Sequence, residues 1–309
     1  MALTFHQNVV YLSVHSHHSV QKALHIAGMT DVVLRYVEVD PLGRIEPNKL
    51  ESVIQNDRTA GLSPWLLVAS GGTTNLGSVD PLKDLGDIAK RHGLWYHVDA
   101  AYGGFFLLTA EGKEVLSGME LADSVVLDPH KSLFVPFGTG AVLVKEGIGL
   151  YRAHAHTADY MQDADTGEDW RNPSDLSVEL TRPFRAMRMW LPLKVLGVAP
   201  FRAALEEKLL LAQHAYQRMK DLPRFEMGPE PQLSIFVFRY VPEHGDPNAF
   251  NKRLVEAIRE DGEVFLSSTV VEQKFMLRFP ILSFRSHLTQ VNRAIDVIER
   301  CAEKLHVLA

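Results

Sequence analysis

The chain has 309 residues, 46% of them apolar and 23% charged, with a net charge of −6. That is an ordinary globular composition, large enough for one large or two modest domains. The acidic balance and the lack of a basic run argue against nucleic acid as the main partner, and no apolar run reaches the roughly 20 residues of a membrane span. A single cysteine, Cys301, leaves no internal disulfide. The opening Met-Ala-Leu-Thr-Phe-His-Gln lacks the charged and apolar parts of a signal peptide. The expectation is a cytoplasmic protein that acts on small molecules, with no membrane and no nucleic-acid partner.

In chain order, Val9–Ser13 reads as a strand. A turn follows, Val14-His-Ser-His-His-Ser-Val20, and then a helix through about Ala27 with Ser19 as its N-cap. Three histidines in one turn raise the question of a metal. Zinc sites draw a further Cys, His or carboxylate at defined spacing, which is not evident here, so no metal is expected. Val32–Val39 is strand-like, 40–44 a turn, and Glu46–Gln55 a helix with Pro47 in its first turn. Trp65–Ala69 is a continuous apolar run, the pattern of a parallel strand buried on both faces. It runs into Ser70-Gly-Gly-Thr-Thr-Asn75, where glycines let the backbone approach a ligand or simply turn tightly. Leu82–His92 is an amphipathic helix with residues 82, 85, 88 and 89 on one face and Gly93 as its stop.

Two stretches then carry chemistry. Trp95-Tyr-His-Val-Asp99 is an apolar strand that ends on a carboxylate, followed by Ala-Ala-Tyr-Gly-Gly104. Asp123-Ser-Val-Val-Leu-Asp128 is another, broken by Pro129. His130 and Lys131 follow at its open end, in a loop that leads to Gly138 and Gly140. Open α/β sheets place ligands at the carboxyl ends of strands. A lysine held there among apolar neighbours loses solvation, which favours the free amine that condenses with a carbonyl. An amine from one strand end and an acid from another fit pyridoxal phosphate, the lysine holding the carbonyl carbon and the aspartate keeping the ring nitrogen protonated. The bland alternative for Lys131 alone is a surface lysine on a loop.

Strands at 65–69, 95–99 and 123–128, alternating with helical segments, predict an α/β sheet of parallel strands, with 140–144 the next strand. From 145 to 178 the pattern fades, and a loop this long is functional or unstructured. His154 and His156 within it read as solvated. A helix is predicted over 178–197, with Arg182, Arg185 and Arg188 recurring along one face; the last two are expected to pair with acidic neighbours. Beyond it come a long helix near 201–220, a strand over Leu233–Arg239, a helix near 247–260, strands near 263–267 and 275–280, and an amphipathic helix from His287. The predicted division is a large domain over 1–198 and a small α+β domain over 199–309.

His-Val-Asp99-Ala-Ala-Tyr followed by Asp-Pro-His-Lys131 resembles the group II pyridoxal-phosphate decarboxylases, which act on aromatic amino acids, histidine, glutamate or diaminobutyrate. The resemblance runs from about Val10 to the C-terminus. It implies fold type I, pyridoxal 5′-phosphate as cofactor, an amino-acid substrate with the likeness leaning toward an aromatic one, and a homodimer. It implies that Lys131 holds the cofactor, Asp99 faces its ring nitrogen, and His17, in Ser-His17-His-Ser-Val, stacks on the ring. Thr74, Ala101 and His130 are implied to lie at the cofactor, and Arg182 near the site. Tyr160, in Ala-Asp-Tyr160-Met, is implied to return a proton to the substrate carbon; relatives that oxidatively deaminate carry phenylalanine there. Family members have further chain before the strand at Val9, with a small-residue turn that cradles the phosphate. No such turn precedes His17, so the chain reads as a member without its N-terminal part, with His130 and Ser132 as partial substitutes. The alternatives are a silent remnant that only dimerises, a decarboxylase of an acidic amino acid, and an aminotransferase.

Overall fold

In the computed structural model, residues 5–156 and 172–307 are described. The first layer is a six-stranded sheet: β1 (Asn8–Ser13), β2 (Val33–Val37), β3 (Ser63–Ser70), β4 (Trp95–Asp99), β5 (Ser124–Leu127) and β6 (Ala141–Val144), in the order β2-β1-β3-β4-β5-β6. β1 to β5 run parallel, with Ser70 in register with Asp99 and Asp99 with Val126. β6 departs from the predicted parallel sheet. It pairs antiparallel with β5, and the 13 residues between Leu127 and Ala141 hold a single helical turn rather than a crossover helix.

The central strands β1 and β3 are buried on both faces, as their unbroken apolar runs predict. Val9, Val10 and Tyr11 of β1 and Leu67 and Ala69 of β3 are fully buried. Helices α1 (Ser19–Ile26), α2 (Pro47–Thr59), α3 (Leu82–His92) and the short α4 (Ala110–Val115) flank the sheet. α3 buries Leu82, Leu85, Ile88 and Ala89, as its periodicity predicts, and Gly93 closes it in the left-handed conformation, with φ 66°. Ser19 is not the N-cap of α1. The helix begins at Ser19 itself, after His18, and no side chain caps it.

After β5 comes a single helical turn, α5 (Pro129–Ser132), with Pro129 at its first position. α6 (Gly147–His154) occupies part of the stretch read as patternless. The helix predicted over 178–197 is shorter, α7 (Met187–Leu196). Pro183 lies before it, and proline disfavours helix at the residue it follows. The three arginines therefore do not share a helical stripe. Arg182 donates to Ser177 Oγ at 3.0 Å, Arg185 pairs with Glu179, and Arg188 donates to the Phe137 carbonyl rather than to an acid.

The second sheet is antiparallel: β7 (Phe225–Met227), β8 (Ile235–Tyr240), β9 (Ser267–Val271) and β10 (Lys274–Pro280), in the order β7-β8-β10-β9. Helices α8 (Ala199–Lys220), α9 (Pro247–Asp261) and α10 (Leu288–Val307) cover it, enclosing Phe236, Phe238, Leu254, Ile258, Leu277, Ile295 and Ile298. α9 is capped by Asp246, whose carboxylate accepts from Asn248 N and Ala249 N. The strand predicted near 263–267 lies later, at 267–271. It forms a hairpin with β10 through Glu272 and Gln273, both at positive φ, the geometry of a tight two-residue turn.

Candidate active site

The carboxyl ends of β1, β3, β4 and β5 converge on one cavity of about 250 Å³. Each end contributes a wall. His17 and Ser19 come from the turn after β1, Ser70, Gly72, Thr73 and Thr74 from the loop after β3, Asp99, Ala101 and Tyr102 from the end of β4, and Asp128 and Lys131 from the end of β5. Val126 lies in its floor, in register with Asp99. The arrangement follows from topology: in a parallel sheet every strand delivers its terminal residues to the same edge.

The loop after β3 is held from several sides. Thr73 N donates to the Ser78 carbonyl at 2.8 Å, and Ser78 N donates back to Thr73 Oγ1 at 3.1 Å. The buried Asp80 carboxylate accepts from Ser70 N at 2.7 Å and from Ile45 N at 2.8 Å. Burial outweighs these two bonds and raises its pKa to about 6. Gln232, just before β8, accepts from Val79 N at 2.9 Å. Glycine is required where this loop meets β4: a Cβ on Gly103 would lie 1.9 Å from the Gly71 carbonyl oxygen.

Asp99 Oδ1 accepts from Ala101 N at 3.1 Å, which turns the chain away from the strand. Tyr102 is buried. Its hydroxyl meets Ser234 Oγ at 2.7 Å and accepts from Ser234 N at 3.0 Å, tying the cavity wall to the chain entering β8. Burial pushes its phenol up to about 12. Arg278 of β10, largely buried, lies within electrostatic reach of the same phenol.

His17 accepts at Nδ1 from Ser19 N at 3.2 Å, and the Ser19 hydroxyl lies 2.8 Å from the same nitrogen. Burial first, and His18 next, hold the imidazole below its ordinary pKa, so it is neutral at physiological pH. The rings of His17 and His18 are 4.1 Å apart. Among the described residues, no three His, Cys, Asp or Glu side chains gather as a metal ligand set.

Lys131 corrects one expectation. Its side chain is 42% exposed and its Nζ sits 2.8 Å from Asp128 Oδ2, so it is ion-paired rather than desolvated among apolar neighbours. Proline at position 129 is the reason: it starts a helical turn that places residue 131 three positions after the acid, on the same side. Asp128 is thus a site residue that the sequence reading treated only as a strand end. The i, i+3 spacing to Lys131 was the available signal.

Of the residues named from sequence, His17, Thr74, Asp99, Ala101 and Lys131 line the cavity. His130 does not. Its ring turns toward the Thr139 carbonyl and packs on Phe137 at 4.8 Å, with Nε2 3.9 Å from Asp128. Ser132 is fully buried and its hydroxyl has no hydrogen-bond partner. Arg182 lines a separate, larger hollow near Pro129 and Gly140. Tyr160 lies outside the described residues. Besides Asp128, sequence reasoning missed Ser19, Ser70, Tyr102 and Asp80. Asp-Pro before an amphipathic helix looks like an ordinary helix start, so nothing marked Asp80 as the clamp of the cavity loop.

The cavity fits a flat heterocycle that carries a carbonyl. It offers an acid from one strand end, an amine from the next, an imidazole beside them, and hydroxyls from Thr73 and Thr74. The sequence profile of the pyridoxal-dependent decarboxylase conserved domain matches residues 3–241. An aromatic-L-amino-acid decarboxylase from Bacillus atrophaeus is 34% identical over 304 residues, covering 97% of this chain and 63% of that protein. An acidic amino acid decarboxylase from Bos taurus is 30% identical over 287 residues, covering 92% of this chain and 54% of that one. Among solved structures, Oryza sativa TDC with PLP and tryptamine superposes with a TM-score of 0.92 at 26% identity, covering 98% of this chain and 64% of that chain. The chain therefore spans less than two thirds of the length of these relatives. The fold is the type I arrangement that the sequence resemblance implied.

Proposed function

Because the chain belongs to the pyridoxal-dependent decarboxylase family, we propose that it removes the α-carboxylate of an L-amino acid as carbon dioxide, with pyridoxal 5′-phosphate in the cavity of His17, Asp99 and Lys131. The observation that carries this reading is the meeting of acid, amine and imidazole in one cavity at the open ends of adjacent parallel strands. When bound, pyridoxal phosphate supplies an electron sink for the bond that breaks at Cα.

The chain's own residues set up the rest. Lys131 is the amine that would hold the cofactor at its carbonyl carbon, with the carbonyl oxygen leaving as water, and the Asp128 carboxylate at 2.8 Å is placed to take the proton that the ammonium must shed. Asp99 is the acid that would keep the cofactor's ring nitrogen protonated. His17, neutral and fixed by Ser19, is the imidazole that would lie against the ring. Thr74 and Gly72 also line the cavity. Tyr160 is the acid that returns a proton to Cα, and a tyrosine there favours plain decarboxylation over oxidative deamination.

An aromatic L-amino acid is the preferred substrate, supported by similarity to the Bacillus atrophaeus enzyme. Similarity to the Bos taurus acidic amino acid decarboxylase supports an acidic substrate as the second reading. A homodimer in the cytoplasm belongs to the same proposal. Protein mixed with pyridoxal phosphate, reduced with borohydride and digested should carry the label on Lys131, and Lys131→Ala should carry none. Aromatic and acidic L-amino acids are then supplied in parallel, with amine and carbon dioxide as the readout. Absence of label on Lys131 would end the assignment, and keto acid in place of amine would convert it to transamination.

A further inference from the structure

Four residues other than glycine have positive φ among those described. Arg224, Glu272 and Gln273 are polar turn residues. The fourth is Phe134, at φ 58°, three positions after Lys131. A bulky side chain in the left-handed region is a strained arrangement that surrounding structure must enforce, and such strain collects at functional sites.

The enforcing contacts are visible. Phe134 N donates to the Lys131 carbonyl at 3.4 Å, closing the turn that carries the lysine. Leu133 and Val135 on either side are buried against Phe201 of α8. The Phe134 ring meets Phe284 edge-on, with centroids 6.5 Å apart. Phe284 belongs to the segment 281–287, which follows β10 and is itself fastened at both ends. Ile281 N donates to the Ser234 carbonyl at 2.8 Å. At the other end the fully buried Lys208 of α8 donates to the Ser286 carbonyl at 2.5 Å and pairs with Glu207, which also holds His287. A lysine buried this completely is a costly way to hold a loop.

We infer that Phe134 and Phe284 are positioning residues for Lys131: the far segment, clamped by Lys208, presses Phe134 into the left-handed turn and thereby aims the lysine at the cavity. This rests on the reading of Lys131 as the cofactor lysine. Neither phenylalanine lines the cavity, so their effect on the cofactor can only be indirect.

Two variants separate aiming from mere folding. Phe284→Ala removes a ring that is 52% exposed, so its burial contributes little to the fold. Phe134→Gly removes the ring but also relieves the backbone, because glycine accepts positive φ freely. Pyridoxal phosphate titrations, followed by the visible absorption band and by borohydride trapping on Lys131, should show affinity weakened about tenfold in Phe134→Gly and by about a third of that in Phe284→Ala. The double variant should be no weaker than Phe134→Gly alone, since both act through one contact. Thermal midpoints of Phe284→Ala and wild type should agree. Wild-type affinity in both single variants, or weakening that merely tracks the fraction of unfolded protein, overturns the inference and leaves the cofactor assignment intact. No trapping on Lys131 in the wild-type chain overturns that assignment and this inference with it.

Discussion

The cavity rim and the described residues between 137 and 198 are opposite in finish. Around the cavity, β3, β4 and β5 are central strands. The loop after β3 is bonded within itself through Asp80, Thr73 and Ser78, Tyr102 after β4 is bonded to Ser234 before β8, and the apolar residues behind them are buried. Between 137 and 198 lie half of the exposed large apolar residues among those described, including Phe137, Leu143, Phe184 and Trp190. β6 is the edge strand of the first sheet, and Val142 and Leu143, on its two faces, are both exposed. Apolar content therefore says little about burial unless a neighbour exists on each side. A hydroxyl or carboxylate is informative where it satisfies backbone donors that the fold has already buried.

If the rim is as finely set as this contrast holds, its charged members should be the most sensitive positions. The largest effect is expected at Asp99. Asp99→Asn keeps the shape and the acceptor for Ala101 N but removes the charge, and turnover should fall by about 100-fold or more with the fold intact. Steady-state decarboxylation, with circular dichroism as the control, measures it. Turnover within a few-fold of wild type would mean that no ring nitrogen depends on this acid.

Asp80 comes next. Asp80→Ala leaves the buried N–H groups of Ser70 and Ile45 without their acceptor, a loss of about 2–4 kcal/mol in a urea titration. Its pH dependence has a definite sign. The folded protein raises the carboxyl from an ordinary 3.8 to about 6, so the acid is easier to protonate folded than unfolded. The stability this confers is complete below pH 4 and is lost as pH rises through 6. The advantage of wild type over Asp80→Asn should therefore shrink by about 2 kcal/mol between pH 4 and pH 7. An advantage that grew over this window would show the two N–H bonds outweighing burial.

Tyr102→Phe tests the tie between the rim and the second sheet. It deletes the hydroxyl that meets Ser234 and should cost about 1–2 kcal/mol, read as a lower denaturation midpoint. Ser234→Ala combined with it should add little, because the two share one bond.

The same contrast explains what was legible beforehand. β4 and β5 were readable because buried parallel strands are continuous apolar runs, and Asp99 and Lys131 because acid and amine at strand ends are chemically marked. His17 and Thr74 needed the family resemblance, since a histidine in a turn and a threonine in a loop have no spacing of their own. The pairing of Lys131 with Asp128 was not read because its cause is the helical turn begun by Pro129, in a place that looked like loop. The antiparallel sense of β6 is a matter of its pairing with β5, which Ala-Val-Leu-Val144 alone does not show. The hairpin at Glu272-Gln273 escaped because its positive φ values fall on residues that do not advertise a turn. The clamp at Asp80 joins Ile45 to Ser70, partners 35 and 10 residues away.

The smallest predicted effect lies at the unfinished edge. Leu143→Lys places a charge on β6 where the side chain is already 57% exposed, so little burial is lost and the unfolding free energy should move by less than about 0.5 kcal/mol. A lysine on an edge strand also opposes pairing with another chain's edge. If β6 and Phe184, which lines the same hollow as Ala141 of β6, lie against a second copy in solution, the same substitution should halve the apparent mass in sedimentation at a concentration where wild type is dimeric. If the face is free, mass and stability should both be unchanged. A loss of several kcal/mol in the monomer would instead mean that residue 143 is packed like the strands around the cavity, and the contrast between the two regions would fail.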